Sequence, residues 1–199
     1  TGTAMILVND EGENCIVITS GANKELSPEY VVNIEDQIAM AYIVVLQMEI
    51  PMDTVRKVCE LASRYGTQVM LNLAPARAID NTLLKMVDIL VVNETEIEAL
   101  SGMSLASDGE QAVIDSIIAM GAGTVILTLG RSGCIVKNHK VSTHIQAFDV
   151  DAVDTTAAGD TFCGALAAQL SKGVGMIDAL KFSTASSAVC VTRMGAQPS

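Results

Sequence analysis

The chain has 199 residues, half of them hydrophobic, with a mean hydropathy of +0.41, so we expect one α/β domain with a large buried core. Twelve basic residues against 23 acidic ones leave a net charge of −11, which argues against nucleic acid or an anionic membrane bound through a general basic surface. No apolar run reaches the roughly 18 residues of a membrane span. Five widely spaced cysteines in apolar segments fit reduced thiols, so we expect a soluble, cytoplasmic protein.

The predicted elements begin with a hairpin. Two strands are expected at residues 3–9 and 14–19, joined by a polar turn over residues 10–13. A helix follows, with Ser27 as its N-cap and Pro28 at its first position, and runs to about Met40.

Strands and helices then alternate along the chain. Apolar strands are predicted at residues 43–46, 68–71, 89–92 and 124–127. Helices are predicted at residues 52–65, where Gly66 closes the helix, and at 82–86, 94–101 and 108–120. An antiparallel pair at 134–137 and 141–146 precedes two long helices at 158–170 and 176–191. This order implies a mostly parallel sheet covered by helices on both faces.

The start of the first long helix has almost no side-chain bulk between Ala157 and Gly159. Backbone N–H groups at such a helix start can approach a phosphate closely and stabilise its charge. Asp160 would then lie beside the anion, where a carboxylate can orient a hydroxyl and accept its proton. The alternative is an ordinary helix capped by Thr155 or Thr156, and the residues by themselves leave both possibilities open.

Three other loops follow strands of the predicted sheet, at the edge where ligands bind in such folds. The first carries Glu49. The second begins with Asn93 and Glu96, whose spacing fits either a capping box or a carboxylate that holds water on Mg²⁺. The third, residues 128–133, is either a nucleotide loop or a simple glycine turn. We expect one crevice to collect all four loops, and His139 and His144 to be surface residues.

Two common nucleotide motifs are missing from the sequence. There is no Gly-x-x-x-x-Gly-Lys-Ser/Thr segment, which argues against a P-loop nucleotidase. Gly121-x-Gly123 precedes a strand and lacks the third glycine, which argues against a dinucleotide-binding oxidoreductase. Phosphoryl transfer by this chain would therefore use another phosphate cradle.

The segment over residues 152–166 resembles the second signature of the PfkB-type carbohydrate kinases, the family that contains the ribokinases. This signature is highly specific. The resemblance continues through residues 21–23, 47–49, 71–77, 93–96, 128–130 and 191–199. It implies a ribokinase-like three-layer sandwich, in which a mostly parallel sheet flanked by helices carries a small β lid, present here only in part.

The resemblance also implies an organisation for the chain. Residues 1–199 would form one partial α/β kinase domain, and residues 1–20 would supply strands of the β lid, which forms a dimer interface in relatives. We therefore expect a homodimer. The family's opening third, with a sugar-binding Asp and a Gly-Gly-x-x-x-Asn segment, has no counterpart here, so we expect the chain to be part of a longer protein.

Residue roles follow from the resemblance alone. Asp160 would be the catalytic base and contact the sugar, and Glu49 would bind the sugar. The anion hole for the phosphoryl group would be formed by Ala157, Ala158 and Gly159. The nucleotide and its magnesium-bound phosphates would be contacted by Asn93, Glu96, Thr128, Gly130 and Gly133. An activating K⁺ ion, held largely by backbone oxygens, would lie at Asp154, Thr156, Cys190, Arg193, Gly195 and Ser199.

Within the family, these segments look most like those of ribokinases. The resemblance therefore implies transfer of the γ-phosphoryl group of ATP to the 5-hydroxyl of D-ribose, with Mg²⁺ and K⁺. Two alternatives are a sister kinase for fructose, another sugar or a nucleoside, and a catalytically incomplete nucleotide-binding fragment. The chain departs from the pattern at Leu73, where the family usually has Pro, and at residues 182–186, where adenine is expected to pack.

Overall fold

The computed structural model describes residues 2–8 and 14–197, and this part of the chain contains two separate sheets. In the smaller sheet, β1 (Thr3–Val8) and β2 (Asn14–Thr19) pair in antiparallel register, as the hairpin prediction required. Asn9 and the predicted turn over residues 10–13 lie outside the described residues.

The larger sheet contains six strands that follow one another in chain order. They are β3 (Ile43–Leu46), β4 (Gln68–Asn72), β5 (Ile89–Asn93), β6 (Thr124–Thr128), β7 (Cys134–Lys137) and β8 (Ser142–Ile145). The pairs from β3 to β6 are parallel, whereas β7 is antiparallel to both β6 and β8. The mostly parallel sheet and the antiparallel pair were both predicted from the sequence.

Both faces of the central strands are buried, which explains why these strands are apolar throughout. On β6, Val125 and Leu127 belong to one hydrophobic cluster, while Ile126 between them belongs to the cluster on the opposite face. Helices cover each face, and the three layers that result confirm the predicted α/β sandwich.

The described helices divide unequally between the two faces. One face packs against α1 (Pro28–Asn33), α2 (Glu35–Met40), α3 (Met52–Tyr65), α4 (Asn81–Leu84), α5 (Glu94–Ser101), α6 (Leu105–Asp108) and α7 (Glu110–Met120). The other face packs against α8 (Ala158–Ser171) and α9 (Met176–Cys190). No helix among the residues described has the length and hydrophobicity needed to cross a membrane.

Two helix boundaries differ from the sequence predictions. The helix expected over residues 27–40 is broken at Ile34, whose φ of −111° and ψ of 18° separate α1 from α2. The helix expected from Asp108 begins instead at Glu110, because Gly109 adopts φ +81° and ends the short helix α6 before it. The N-cap predicted at Ser27 is confirmed, because the Ser27 side chain accepts a hydrogen bond from the Tyr30 backbone amide.

Candidate active site

The start of α8 has no side-chain cap. Its N-cap residue is Ala157, which has left-handed backbone angles of φ 61° and ψ 11° and no side-chain acceptor. Neither Thr155 nor Thr156 caps the helix, so the capped-helix alternative raised from the sequence is wrong for this helix. A non-glycine residue in this region costs about 1–2 kcal/mol, so the loop holds Ala157 in an unfavourable conformation.

Amide groups at this helix start remain available to a ligand. Of the predicted anion hole of Ala157, Ala158 and Gly159, the Ala158 amide donates to the Thr155 carbonyl at 3.2 Å and is occupied within the chain, so the anion hole as a whole stays a prediction. The amides of Gly159 and Asp160 have no hydrogen-bond acceptor in the part of the chain that the structure describes, and both residues are exposed. Amides of this kind at the positive end of a helix form an anion-binding site.

Asp160 lies in the first turn of α8 with its side chain in solvent. Its carboxylate makes no hydrogen bond or ion pair with any residue between 14 and 197. Three residues further along, Cys163 is buried, and burial followed by the charges of Asp160 and Glu96 raises the pKa of its thiol to about 12. The charges of Asp160 in α8 and Glu96 in α5 thus both act on the same buried thiol.

The start of α5 is closed by its own side chains. The Asn93 side-chain oxygen accepts a hydrogen bond from the backbone amide of Glu96 at 2.8 Å. In return, the Glu96 carboxylate accepts one from the backbone amide of Asn93 at 2.8 Å. Glu96 is only 7% exposed, and burial raises the pKa of its carboxyl group while the Asn93 amide lowers it. The capping box anticipated from the spacing is present. A role in binding magnesium-bound phosphates stays a prediction.

Parallel strand pairing brings the ends of β3, β5 and β6 to one edge of the sheet. Asn93 and Thr128 are paired in register, and the Thr128 hydroxyl donates to the carbonyl of Val92 at 3.2 Å. After β3, Glu49 is exposed, and its carboxylate accepts a hydrogen bond from the side-chain NH₂ group of Asn23 at 3.3 Å. Asn23 lies in one of the segments that carry the resemblance, but no role was predicted for it.

The β6–β7 loop (residues 129–133) contains two glycines with different surroundings. Gly130 has φ 51°, is exposed, and has open space where a side chain would lie. Gly133 has φ 90° and is buried, and a Cβ atom there would overlap the carbonyl oxygen of Ile145. Packing against β8 is therefore enough to explain why residue 133 is a glycine, whereas the space beside Gly130 is open to a ligand. Nucleotide contact by Thr128, Gly130 and Gly133 stays a prediction.

Asp154 joins the two segments that the resemblance assigns to a potassium ion. One carboxylate oxygen accepts a hydrogen bond from the Thr156 amide and the other from the Gly195 amide, each at 2.9 Å. The Thr156 hydroxyl, followed by those two amides, holds the pKa of Asp154 below its ordinary value. The Cys190 thiol lies 3.7 Å from the Thr156 carbonyl oxygen, and the Arg193 amide donates to the Cys190 carbonyl.

These contacts bring together five of the six predicted potassium positions, while Ser199 lies outside the described residues. Backbone carbonyls and a carboxylate are donors that suit a monovalent cation, so the donor set fits K⁺. Over the described ranges, no group of three or more His, Cys, Asp or Glu side chains is arranged to hold a metal ion. The potassium prediction depends on backbone oxygens instead.

Residues 1–199 match the family model described as pfkB family carbohydrate kinase, and the chain belongs to that family. It is 42% identical over 203 residues to a ribokinase from Staphylococcus aureus (strain COL) and 36% identical over 201 residues to a deoxyribokinase from Salmonella typhi. Both alignments cover 100% of this chain and 66% of the relative, so the chain spans just under two thirds of their length.

The fold is similar to that of solved relatives as well. The structure of Arabidopsis thaliana ribokinase complexed with ribose and ATP matches with a TM-score of 0.91 at 31% identity, over 100% of this chain and 65% of that one. The ribokinase-like fold predicted from the sequence is therefore confirmed.

Proposed function

We propose that the protein containing this chain is an ATP-dependent sugar kinase that transfers the γ-phosphoryl group of ATP to the 5-hydroxyl of D-ribose. The observation that carries the proposal is the open start of α8, where the exposed Asp160 carboxylate lies beside amides that have no acceptor among the described residues. A base next to an anion site is the arrangement that phosphoryl transfer to an alcohol requires.

The residues at this helix start divide the work of the reaction. The amides of Gly159 and Asp160, at the positive end of α8, stabilise the charge that spreads over the transferring phosphoryl oxygens. The Asp160 carboxylate accepts the proton of the attacking sugar hydroxyl. Because the transition state is loose, the amides act throughout the transfer, whereas proton removal comes late.

Two ions complete the proposal. Mg²⁺ would neutralise charge on the phosphates of bound ATP, and the Glu96 carboxylate, which has one oxygen beyond its bond with the Asn93 backbone amide, would hold a water of that ion. K⁺ would be held by backbone oxygens of the two segments that Asp154 joins, and its charge would help to set the shape of the loop before α8. Both ions are proposed from the donor sets and from family membership.

Ribose is preferred as the acceptor because of the similarity to a ribokinase at 42% identity. A specific observation favours 2-deoxyribose as the second candidate, since a deoxyribokinase is 36% identical over the same length. Within this chain, Glu49 is the proposed sugar-binding residue, and its hydrogen bond with Asn23 orients the carboxylate. Fructose and nucleosides are the remaining acceptors to test.

The two-stranded sheet of β1 and β2 supports a further part of the proposal. An isolated pair of strands is marginally stable in water, so it needs a surface to cover it. We assign residues 1–20 to a β lid over the sugar that pairs with a second copy of the protein. Cys59, Cys134 and Cys163 are buried thiols, which is consistent with a reducing, cytoplasmic location.

The test measures ADP release by the full-length protein with D-ribose, 2-deoxyribose, fructose and adenosine, each at saturating MgATP. We expect the highest kcat/KM with D-ribose. A higher kcat/KM with any other acceptor would overturn the ribose assignment. The same assay on the 199-residue chain tests the alternative of an incomplete fragment. ATP binding without ADP release by the 199-residue chain, together with ADP release by the full-length protein, would support that alternative, whereas no ADP release by the full-length protein would overturn the kinase proposal.

A further inference from the structure

One side chain outside the proposed site holds the β6–β7 loop from the neighbouring strand. Nε2 of His144 lies 2.6 Å from the carbonyl oxygen of Ser132. A carbonyl oxygen only accepts hydrogen bonds, so Nε2 carries the proton and donates it. His144 lies on β8, opposite Ile135 in register, and the bond therefore joins the loop to the sheet.

The other hydrogen bonds of the loop lie within it. The Leu129 amide donates to the Gly133 carbonyl at 2.8 Å, and the Ser132 amide donates to the Leu129 carbonyl at 2.9 Å. These bonds fix the shape of the loop but not its position relative to β8. At its far end the loop is anchored by the packing of Gly133 against Ile145. Its exposed part, from Gly130 to Ser132, is anchored by His144.

The imidazole is not part of a tightly packed core. His144 borders a cavity of about 340 Å³ on the face of the sheet opposite α8, together with Glu110, Gln111, Leu129, Ser132 and Thr143. His144 and Ser132 are both exposed. Loss of the ring therefore removes a hydrogen bond without opening a void, so its effect on the loop is separable from global stability.

We propose that His144 is a positioning residue for the nucleotide. By holding the Ser132 carbonyl, it keeps the β6–β7 loop where Gly130 contacts the nucleotide phosphates, next to Thr128 at the end of β6. This inference depends on the proposed ATP-dependent function. In the sequence, His139 and His144 are two histidines of one polar hairpin, and the hydrogen bond is what distinguishes them.

The test compares three variants of the full-length protein. His144→Ala is expected to raise the KM for ATP about 2- to 10-fold, the loss that one net hydrogen bond gives, and to leave the KM for the sugar and kcat at saturating ATP unchanged. His144→Gln retains an amide donor and should restore the KM for ATP. Binding of ADP, measured by titration calorimetry, should weaken by the same factor as the KM rises.

His139→Ala is the matched control, because His139 is exposed in the same hairpin and makes no hydrogen bond with the described residues. It should leave every parameter unchanged. An unchanged KM for ATP in His144→Ala, or an equal rise in the KM for ATP and for the sugar, would overturn the positioning role. If the unmodified protein neither binds ADP nor uses ATP, the proposed function itself fails, which is a different result.

Discussion

Two helices, α5 and α8, carry an acid in the first turn, and these first turns are built in opposite ways. Each has an acid at the third helical position, Glu96 in α5 and Asp160 in α8. In α5 that acid bonds back to the N-cap Asn93, and the helix start is closed. In α8 the N-cap is Ala157, so the acid and the neighbouring amides stay open.

The difference lies in one residue and its backbone conformation. Asn93 has extended angles and a side-chain oxygen, which together allow the reciprocal pair of hydrogen bonds. Ala157 has a left-handed backbone and no polar side-chain atom, so its carbonyl accepts from the Thr161 amide but its side chain caps nothing. A closed helix start contributes to stability, whereas an open one is available to an anion and lets its acid act on a substrate.

The largest effect is expected for the acid of the open helix start. Asp160→Asn keeps the shape of the side chain but removes the proposed base, so turnover of the full-length protein should fall by about 10²- to 10⁴-fold. ADP binding should be largely retained, and both are measured with purified protein. Asp149→Asn, an exposed acid before α8 that makes no hydrogen bond among the described residues, is the control. Near-normal turnover in Asp160→Asn would refute the assigned role.

The second largest effect on activity is expected for Glu96, the acid of the closed helix start. Glu96→Gln keeps an oxygen that accepts from the Asn93 amide but loses the charge proposed to hold a magnesium-bound water. The Mg²⁺ concentration needed for half-maximal activity should rise by about 10- to 100-fold, with an unchanged melting temperature. If activity at every Mg²⁺ concentration is unaltered, Glu96 has only its capping role.

Substitutions at the starts of α5 and α8 should change the stability of the protein by different amounts. Asn93→Ala removes the acceptor for the Glu96 amide and should lower the free energy of unfolding by about 1 kcal/mol. Thr155→Ala should leave that free energy unchanged, because its side chain does not cap α8. Urea denaturation of both variants checks the contrast, and an equal loss in the two would contradict it.

A smaller change is expected where α8 begins. Ala157→Gly relieves the left-handed conformation, so the free energy of unfolding should rise by about 0.5–1 kcal/mol in the same denaturation experiment. A decrease would mean that the native loop does not hold Ala157 at this positive φ.

The smallest effects are those of pH, and they have opposite signs at two carboxylates. The pKa of Asp154 is lower in the folded protein than in the unfolded chain. Its ionised carboxylate therefore adds to the free energy of unfolding above the ordinary aspartate pKa, and this stabilisation is lost as pH falls through the lowered pKa. The pKa of Glu96 is higher in the folded protein than in the unfolded chain. Protonation of Glu96 therefore adds to the free energy of unfolding in acid, and this stabilisation is lost as pH rises through the raised pKa. The destabilisation in Asp154→Asn should therefore shrink in acid, whereas Glu96→Gln should lose stability relative to the unmodified protein as pH falls.

Most of the fold could be predicted because the signals are local and repeated. The continuous apolar strands β3 to β6 indicate a sheet buried on both faces, and the structure places alternate side chains such as Val125 and Ile126 in different clusters. The breaks at Ile34 and Gly109 were missed, because a single residue that leaves the helical conformation does not alter the spacing of apolar residues around it.

The sequence by itself determined the α/β class and the order of strands and helices along the chain, and its signature predicted a catalytic role for Asp160. It left open whether two similar helix starts are closed or open, and which of two histidines in a hairpin touches the loop. Only the tertiary structure decided these points, because the choice of hydrogen-bond partner depends on backbone conformation and on neighbours distant in sequence. Ala157 is left-handed and Ser132 lies beside His144 as a result of the whole fold.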